Sequence, residues 1–174
     1  NDINLNKIRS NHKFFIVYRN YEEQEKLHNL LKFRKQCKLK GFKFLIANNI
    51  SLNIRLKTDG IYLSSYNKSF KPLFLKNKKK IIIGSAHNSQ EIVQKRKQGC
   101  SYIIVSKLFK VDYSPKSKSL GVIKFNNLIK NNSKIIPLGG IKFHNLNMLK
   151  IVRSEGFAIM SEIKKKPAIS SRLF

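Results

Sequence analysis

Short apolar runs alternate with longer mixed stretches along nearly the whole chain. Phe14-Phe15-Ile16-Val17-Tyr18 is β-branched and aromatic and predicts a strand. Residues 22–40 then place apolar groups at Leu27, Leu30, Leu31 and Phe33, with glutamates early and lysines late, the charge order a helix dipole favours. Gly41 ends that helix. Phe42 to Ala47 predicts the next strand, residues 51–56 a short helix, and Gly60-Ile61-Tyr62-Leu63 a third strand. Lys80-Ile81-Ile82-Ile83-Gly84 is a continuous apolar run, as in a strand buried on both faces. Residues 88–98 predict a helix capped by Asn88 or Ser89, with Glu91 early. Tyr102 to Leu108 is again a strand, and the Pro-containing, Lys-rich stretch 110–119 a mobile loop. Two further apolar runs close the pattern. Lys134 to Leu138 stops at Gly139-Gly140, Gly156 to Met160 stops at Ser161, and a helix-like segment, 143–154, separates them.

Seven strands with intervening helices and almost no hairpin signals mean a parallel sheet. The expected fold is therefore α/β, a TIM-type (β/α)8 barrel lacking its first strand in this chain. Residues 1–163 would form one N-terminally truncated barrel domain, with residues 1–12 as the tail of its first helix, and 164–174 a basic tail. The rival, an open doubly wound sheet, would be expected to carry a Gly-x-Gly-x-x-Gly or Gly-x-x-x-x-Gly-Lys loop, and the chain has neither. Consecutive parallel strands ending in small residues are how such barrels cradle a phosphate after strands seven and eight. That makes Gly139, Gly140 and Ser161, preceded by Met160, candidates for binding a small phosphorylated metabolite.

Composition changes this picture little. The 174 residues hold 36 Lys and Arg against 9 Asp and Glu, a formal net charge of +27. The lysines are spread over the whole chain among Asn, Ile and Phe, residues that share A/T-only codons. A specific nucleic-acid footprint is therefore the less favoured reading, and the charge serves to attract small anions. Cys37 and Cys100 belong to no Cys-x-x-Cys pair, which fits a reducing compartment, the cytoplasm. No apolar run is long enough to span a bilayer, and Asn1 is read as lying inside a longer protein. His12, His28, His87 and His144 lack metal-ligand spacing, and neither Ser85 nor Ser161 has the partners of a nucleophile. His87, two residues beyond Ser85, shares its direction and is either substrate-facing or a hydrogen-bonded structural histidine.

Taken in order, the strand ends resemble the thiamine phosphate synthase/TenI family, most specifically at Asp59-Gly60-Ile61-Tyr62-Leu63, Ile83-Gly84-Ser85-Ala86-His87-Asn88 and the Gly139-Gly140 to Ser161 pair. The resemblance implies a transferase joining hydroxymethylpyrimidine pyrophosphate to thiazole phosphate with release of pyrophosphate. The family ends its second strand in Gln-x-Arg-x-Lys. Here the stretch reads Val17-Tyr18-Arg19-Asn20-Tyr21, so only Arg19 is carried over, as a pyrophosphate ligand. Asn48 matches a pyrophosphate asparagine, Ser85 a serine near the pyrimidine, and Lys116 or Lys118 the loop lysine that reaches pyrophosphate. Asn49 and Asn67 stand where the family has two magnesium aspartates, so the resemblance implies Mg2+ only at a weakened site. A TenI-like protein that binds thiazole phosphate without synthase activity is the alternative. The tautomerase histidine of that branch is absent at Ser106-Lys107.

Overall fold

The computed structural model describes Leu5 and residues 14–19, 26–114 and 116–160. The chain divides into two compact units, one of residues 11–85 and 93–101, the other of residues 1–10, 86–92 and 102–174. The proposed tail of a first helix, Leu5 apart, and the basic C-terminal tail lie outside the described residues.

The first unit repeats strand and helix: β1 (Phe15–Tyr18), α1 (Leu27–Leu39), β2 (Lys43–Ala47), α2 (Ile50–Leu56), β3 (Gly60–Leu63), α3 (Phe74–Asn77) and β4 (Ile81–Ala86). The four strands pair in chain order, all parallel, with Val17 beside Leu45, Ile46 beside Ile61 and Ile61 beside Ile82. All four residues of β3 are buried, which is why its sequence shows no polar alternation. Phe44, Leu45, Ile46, Ile61, Leu63 and Ile82 form the core, and the Phe33 ring meets Phe44 edge-on at 5.4 Å. Gly60 is required by close approach, since a Cβ there would lie 2.0 Å from the Ile81 carbonyl oxygen. Buried Asn53 donates to Thr58 Oγ1 and to the Gly60 carbonyl, both at 2.6 Å, and so fixes the turn from α2 into β3.

The stretch between β3 and β4 is more structured than its sequence suggests. A 3-10 turn, Lys71–Leu73, leads directly into α3. The run from Lys76 to Lys80 is divided. Lys78 and Lys79 are exposed, while Lys80 Nζ donates to the Thr58 carbonyl at 2.6 Å.

The second unit holds β5 (Tyr102–Ser106), α5 (Gly121–Ile129) and β6 (Ile135–Leu138), and α4 (Ser89–Lys97) contributes residues to both units. Strands β5 and β6 pair in parallel, Val105 beside Pro137. The helix-like segment expected at 143–154 is a 3-10 helix, Phe143–Ile151. One expectation is corrected here. The final strand is reduced to one parallel bridge between Leu138 and Ala158. Pro137 gives the physical reason. Its carbonyl accepts from Ala158 N at 2.9 Å, but it has no N–H to continue the ladder towards Gly156. The Gly156 carbonyl is served instead by the Ser154 hydroxyl at 2.7 Å. The observed architecture is thus a parallel α/β fold with six strands among the described residues, not a demonstrated eight-stranded closure.

Candidate active site at the carboxyl ends of the strands

In a parallel sheet every strand delivers its carboxyl end to the same edge, so residues just after β1, β2 and β3 collect there. In the first unit these are Arg19, Asn48-Asn49 and the loop 64–69. Arg19 is exposed, and its guanidinium carbon lies 5.8 Å from the centre of the buried Tyr62 ring. Asn48 adopts a left-handed backbone with φ of 57°, a region that asparagine tolerates better than most residues. Its side chain is fully engaged. Nδ2 donates to Ser64 Oγ at 2.7 Å and to Tyr66 Oη at 3.0 Å, while Oδ1 accepts from Ser64 N at 3.0 Å and from Asn67 Nδ2 at 3.1 Å. Asn49 caps α2, accepting from Leu52 N at 2.8 Å. Asn67 Oδ1 accepts from Ser69 N at 3.0 Å. Asn48, Asn49, Ser51, Asn67, Ser69 and Lys71 line an open depression of about 370 Å³.

This loop is held from behind by two residues that the sequence reading missed. Lys95, in the last turn of α4, is completely buried. Its ammonium donates to the carbonyls of Ser64 (2.7 Å) and Asn67 (2.6 Å) and to Gln98 Oε1 (2.9 Å). Gln98, also buried, donates through Nε2 to the carbonyls of Asn67 (3.0 Å) and Ser69 (2.7 Å). The sequence gives little signal for them: Ile92, Lys95 and Gln98 recur at three-residue spacing, but only Ile92 of the three is apolar, so the row reads as a solvated face. Ser85 is buried in β4.

In the second unit, His87 is exposed and binds Glu91: Nδ1 lies 3.1 Å from Oε2, and the His87 N–H donates to the same oxygen at 2.8 Å. Asn88 accepts from Glu91 N at 2.9 Å, completing the start of α4. Lys107 Nζ donates to Ser117 Oγ at 2.9 Å and sits 5.3 Å from the Tyr113 ring centre. Lys116 and Lys118 are both exposed on that loop. Gly139 and Gly140 have φ of 99° and 66°, values that glycine adopts without strain. Gly140 has a second, steric reason: a Cβ there would lie 2.3 Å from the Lys110 carbonyl oxygen. Its own carbonyl accepts from Asn145 Nδ2 at 2.7 Å. Gly140 lines an open depression of about 420 Å³ with Phe109, Val111, Lys142 and Met148, where Lys142 pairs with Asp112 at 2.5 Å. Met160 is exposed, and Ser161 lies outside the described residues.

Both cysteines are free and buried, and burial is the main cause that pushes each thiol up to about 11. They remain protonated at neutral pH and are poor nucleophiles. Among the described residues, no group of three or more His, Cys, Asp or Glu could hold a metal ion, and no helix is long and apolar enough to cross a membrane.

Residues 6–163 match the family described as thiamine monophosphate synthase (TMP-TENI). The chain belongs to that family. The thiamine-phosphate synthase of Clostridioides difficile (strain 630) is 26% identical over 157 residues, covering 89% of this chain and 75% of that protein. The thiamine-phosphate synthase of Prochlorococcus marinus (strain AS9601) is 28% identical over 145 residues, covering 81% of this chain but only 41% of that longer protein. A solved thiamine phosphate pyrophosphorylase from Pyrococcus furiosus has the same fold, with a TM-score of 0.67 at 15% identity, covering 91% of this chain and 80% of its own. A 3-keto-L-gulonate-6-phosphate decarboxylase from Vibrio cholerae shares the fold more distantly, with a TM-score of 0.57 at 10% identity, covering 84% of this chain and 78% of that one. Family membership therefore agrees with the order of motifs along the chain.

Proposed function

We propose that this chain carries thiamine-phosphate synthase activity, joining hydroxymethylpyrimidine pyrophosphate to thiazole phosphate. The observation that carries the reading is family membership over residues 6–163, together with polar and cationic residues at the carboxyl ends of parallel strands. The finer fold belongs to the same proposal: β1 to β6 as the second to seventh strands of an eight-fold barrel, the Ala158 bridge marking the eighth. The free thiols fit action in the cytoplasm.

In the proposed reaction, the bond between the pyrimidine methylene carbon and pyrophosphate oxygen breaks, and its electron pair leaves with pyrophosphate. The thiazole nitrogen then attacks the resulting cation. Arg19 and Lys116 or Lys118 would stabilise the negative charge on the leaving group, Ser85 would lie near the pyrimidine, and Gly139, Gly140 and Ser161 would hold the thiazole phosphate. Asn48 receives a different role from the expected one. Both of its amide hydrogens are engaged, so it positions Ser64 and Tyr66 rather than binding pyrophosphate itself. We infer that magnesium does not fit at Asn49 and Asn67, because neutral amide oxygens already accepting hydrogen bonds make a poor set for a hard dication. No step above passes through a metal.

A second reading is favoured by one observation: of the family's second-strand triplet, only Arg19 is present. Under it, the chain binds thiazole phosphate without coupling it to anything. Calorimetric titration with each substrate alone separates the two. Saturable binding of both supports the synthase; binding of thiazole phosphate only supports the second reading.

A further inference from the structure

We propose that the depression at the carboxyl ends of β2 and β3 takes a phosphoryl anion directly, with no divalent cation between anion and protein. The inference deepens the synthase reading and rests on it for the identity of the natural ligand.

An inventory of oxygens leads to it. A hard cation at this place could draw on side-chain amides, loop carbonyls or carboxylates. The side-chain amides are committed: Asn49 Oδ1 to Leu52 N, Asn67 Oδ1 to Ser69 N, and Asn48 Oδ1 to two donors. Three of the loop carbonyls are turned inwards. Those of Ser64, Asn67 and Ser69 all accept from the buried pair Lys95 and Gln98, and Asn67 accepts from both. The one carboxylate among the described residues of this unit, Asp59, sits at the amino ends of the strands, where it accepts from Phe44 N at 3.0 Å. None of the residues lining the depression carries a negative charge.

The same inventory shows what the depression offers instead. Lys71 is the cationic residue of the lining. Ser69 Oγ accepts from Lys71 N at 3.2 Å, which leaves its hydrogen to donate. Ser51 and the Asn49 amide add further donors. The loop also needs no cation to give it shape, because the Lys95 ammonium and the Gln98 amide organise it from inside the protein. A surface of donors over a preformed loop suits an anion.

The test is calorimetric titration of the whole chain with inorganic pyrophosphate, once in EDTA and once in millimolar magnesium. Affinities agreeing within about threefold support the proposal. Binding that requires magnesium, or no binding in either buffer, overturns it. Magnesium titrated alone should give no saturable heat, and saturable heat counts against the proposal. Asn49→Asp provides a variant that keeps its fold, since aspartate caps a helix as well as asparagine. It should weaken magnesium-free pyrophosphate binding about tenfold by like-charge repulsion, and unchanged affinity overturns the placement of the anion. Failure to form thiamine phosphate while pyrophosphate still binds in EDTA would reject the synthase reading alone.

Discussion

Lys95 shows how much one residue can decide. A buried ammonium is tolerated only when its hydrogens are satisfied, and here two main-chain carbonyls and an amide oxygen do so. Lys95→Met keeps much of the volume and removes the donors. It should cost about 1–3 kcal/mol by urea unfolding and weaken pyrophosphate binding, while thiazole phosphate affinity, assigned to the other unit, stays unchanged. Equal loss for both ligands would mean a general folding defect. Arg19, placed at the end of β1 by the family resemblance, is exposed there, and under the proposed function its removal should weaken pyrophosphate binding about tenfold or more in the same titration. Lys95 was not legible, because it sits in a polar helix and the carbonyls it holds are 28 and 31 residues away in sequence. Gly140 was read as a small residue at a strand end, and its packing against residues 109–110 could not be foreseen. Gly140→Ala should therefore destabilise the chain by about 2–4 kcal/mol in urea unfolding, whether or not a ligand binds there.

Strands were easier to place than the segments between them. Their apolar runs are continuous because both faces are covered, so position and type could be read directly, as in β3 and β4. The segment 143–154 was harder, since apolar spacing of about three residues fits a 3-10 helix and an α-helix nearly alike. The last strand failed for a reason visible only in register. Pro137 faces the Gly156–Ala158 stretch with a carbonyl and no N–H. Pro137→Val would supply that donor in competition with the Ser154 hydroxyl. Hydrogen exchange should then slow across residues 156–159, and unchanged exchange would show that something other than the proline limits the pairing.

Across the whole molecule, 36 basic residues face 9 acidic ones, and the described ion pairs are few and largely exposed. Such an excess repels itself, so the melting temperature should rise from low to physiological salt as screening sets in. A flat or falling salt response would contradict this. The buried thiols set an alkaline limit. Burial pushes them up to about 11 from the ordinary thiol value of 9.0, so their contribution is complete below pH 9 and is lost as pH rises towards 11. Unfolding midpoints should fall across that window, and less steeply in Cys37→Ala. The +27 charge alone would have suggested a nucleic-acid partner, yet the order of strand ends pointed to a small phosphorylated metabolite, and family membership agrees with that order. The direct test is joint incubation of the chain with hydroxymethylpyrimidine pyrophosphate and thiazole phosphate, followed by chromatographic measurement of thiamine phosphate. The account predicts product that accumulates with time and falls sharply in Arg19→Ala; no product from a folded chain that binds both substrates would contradict it.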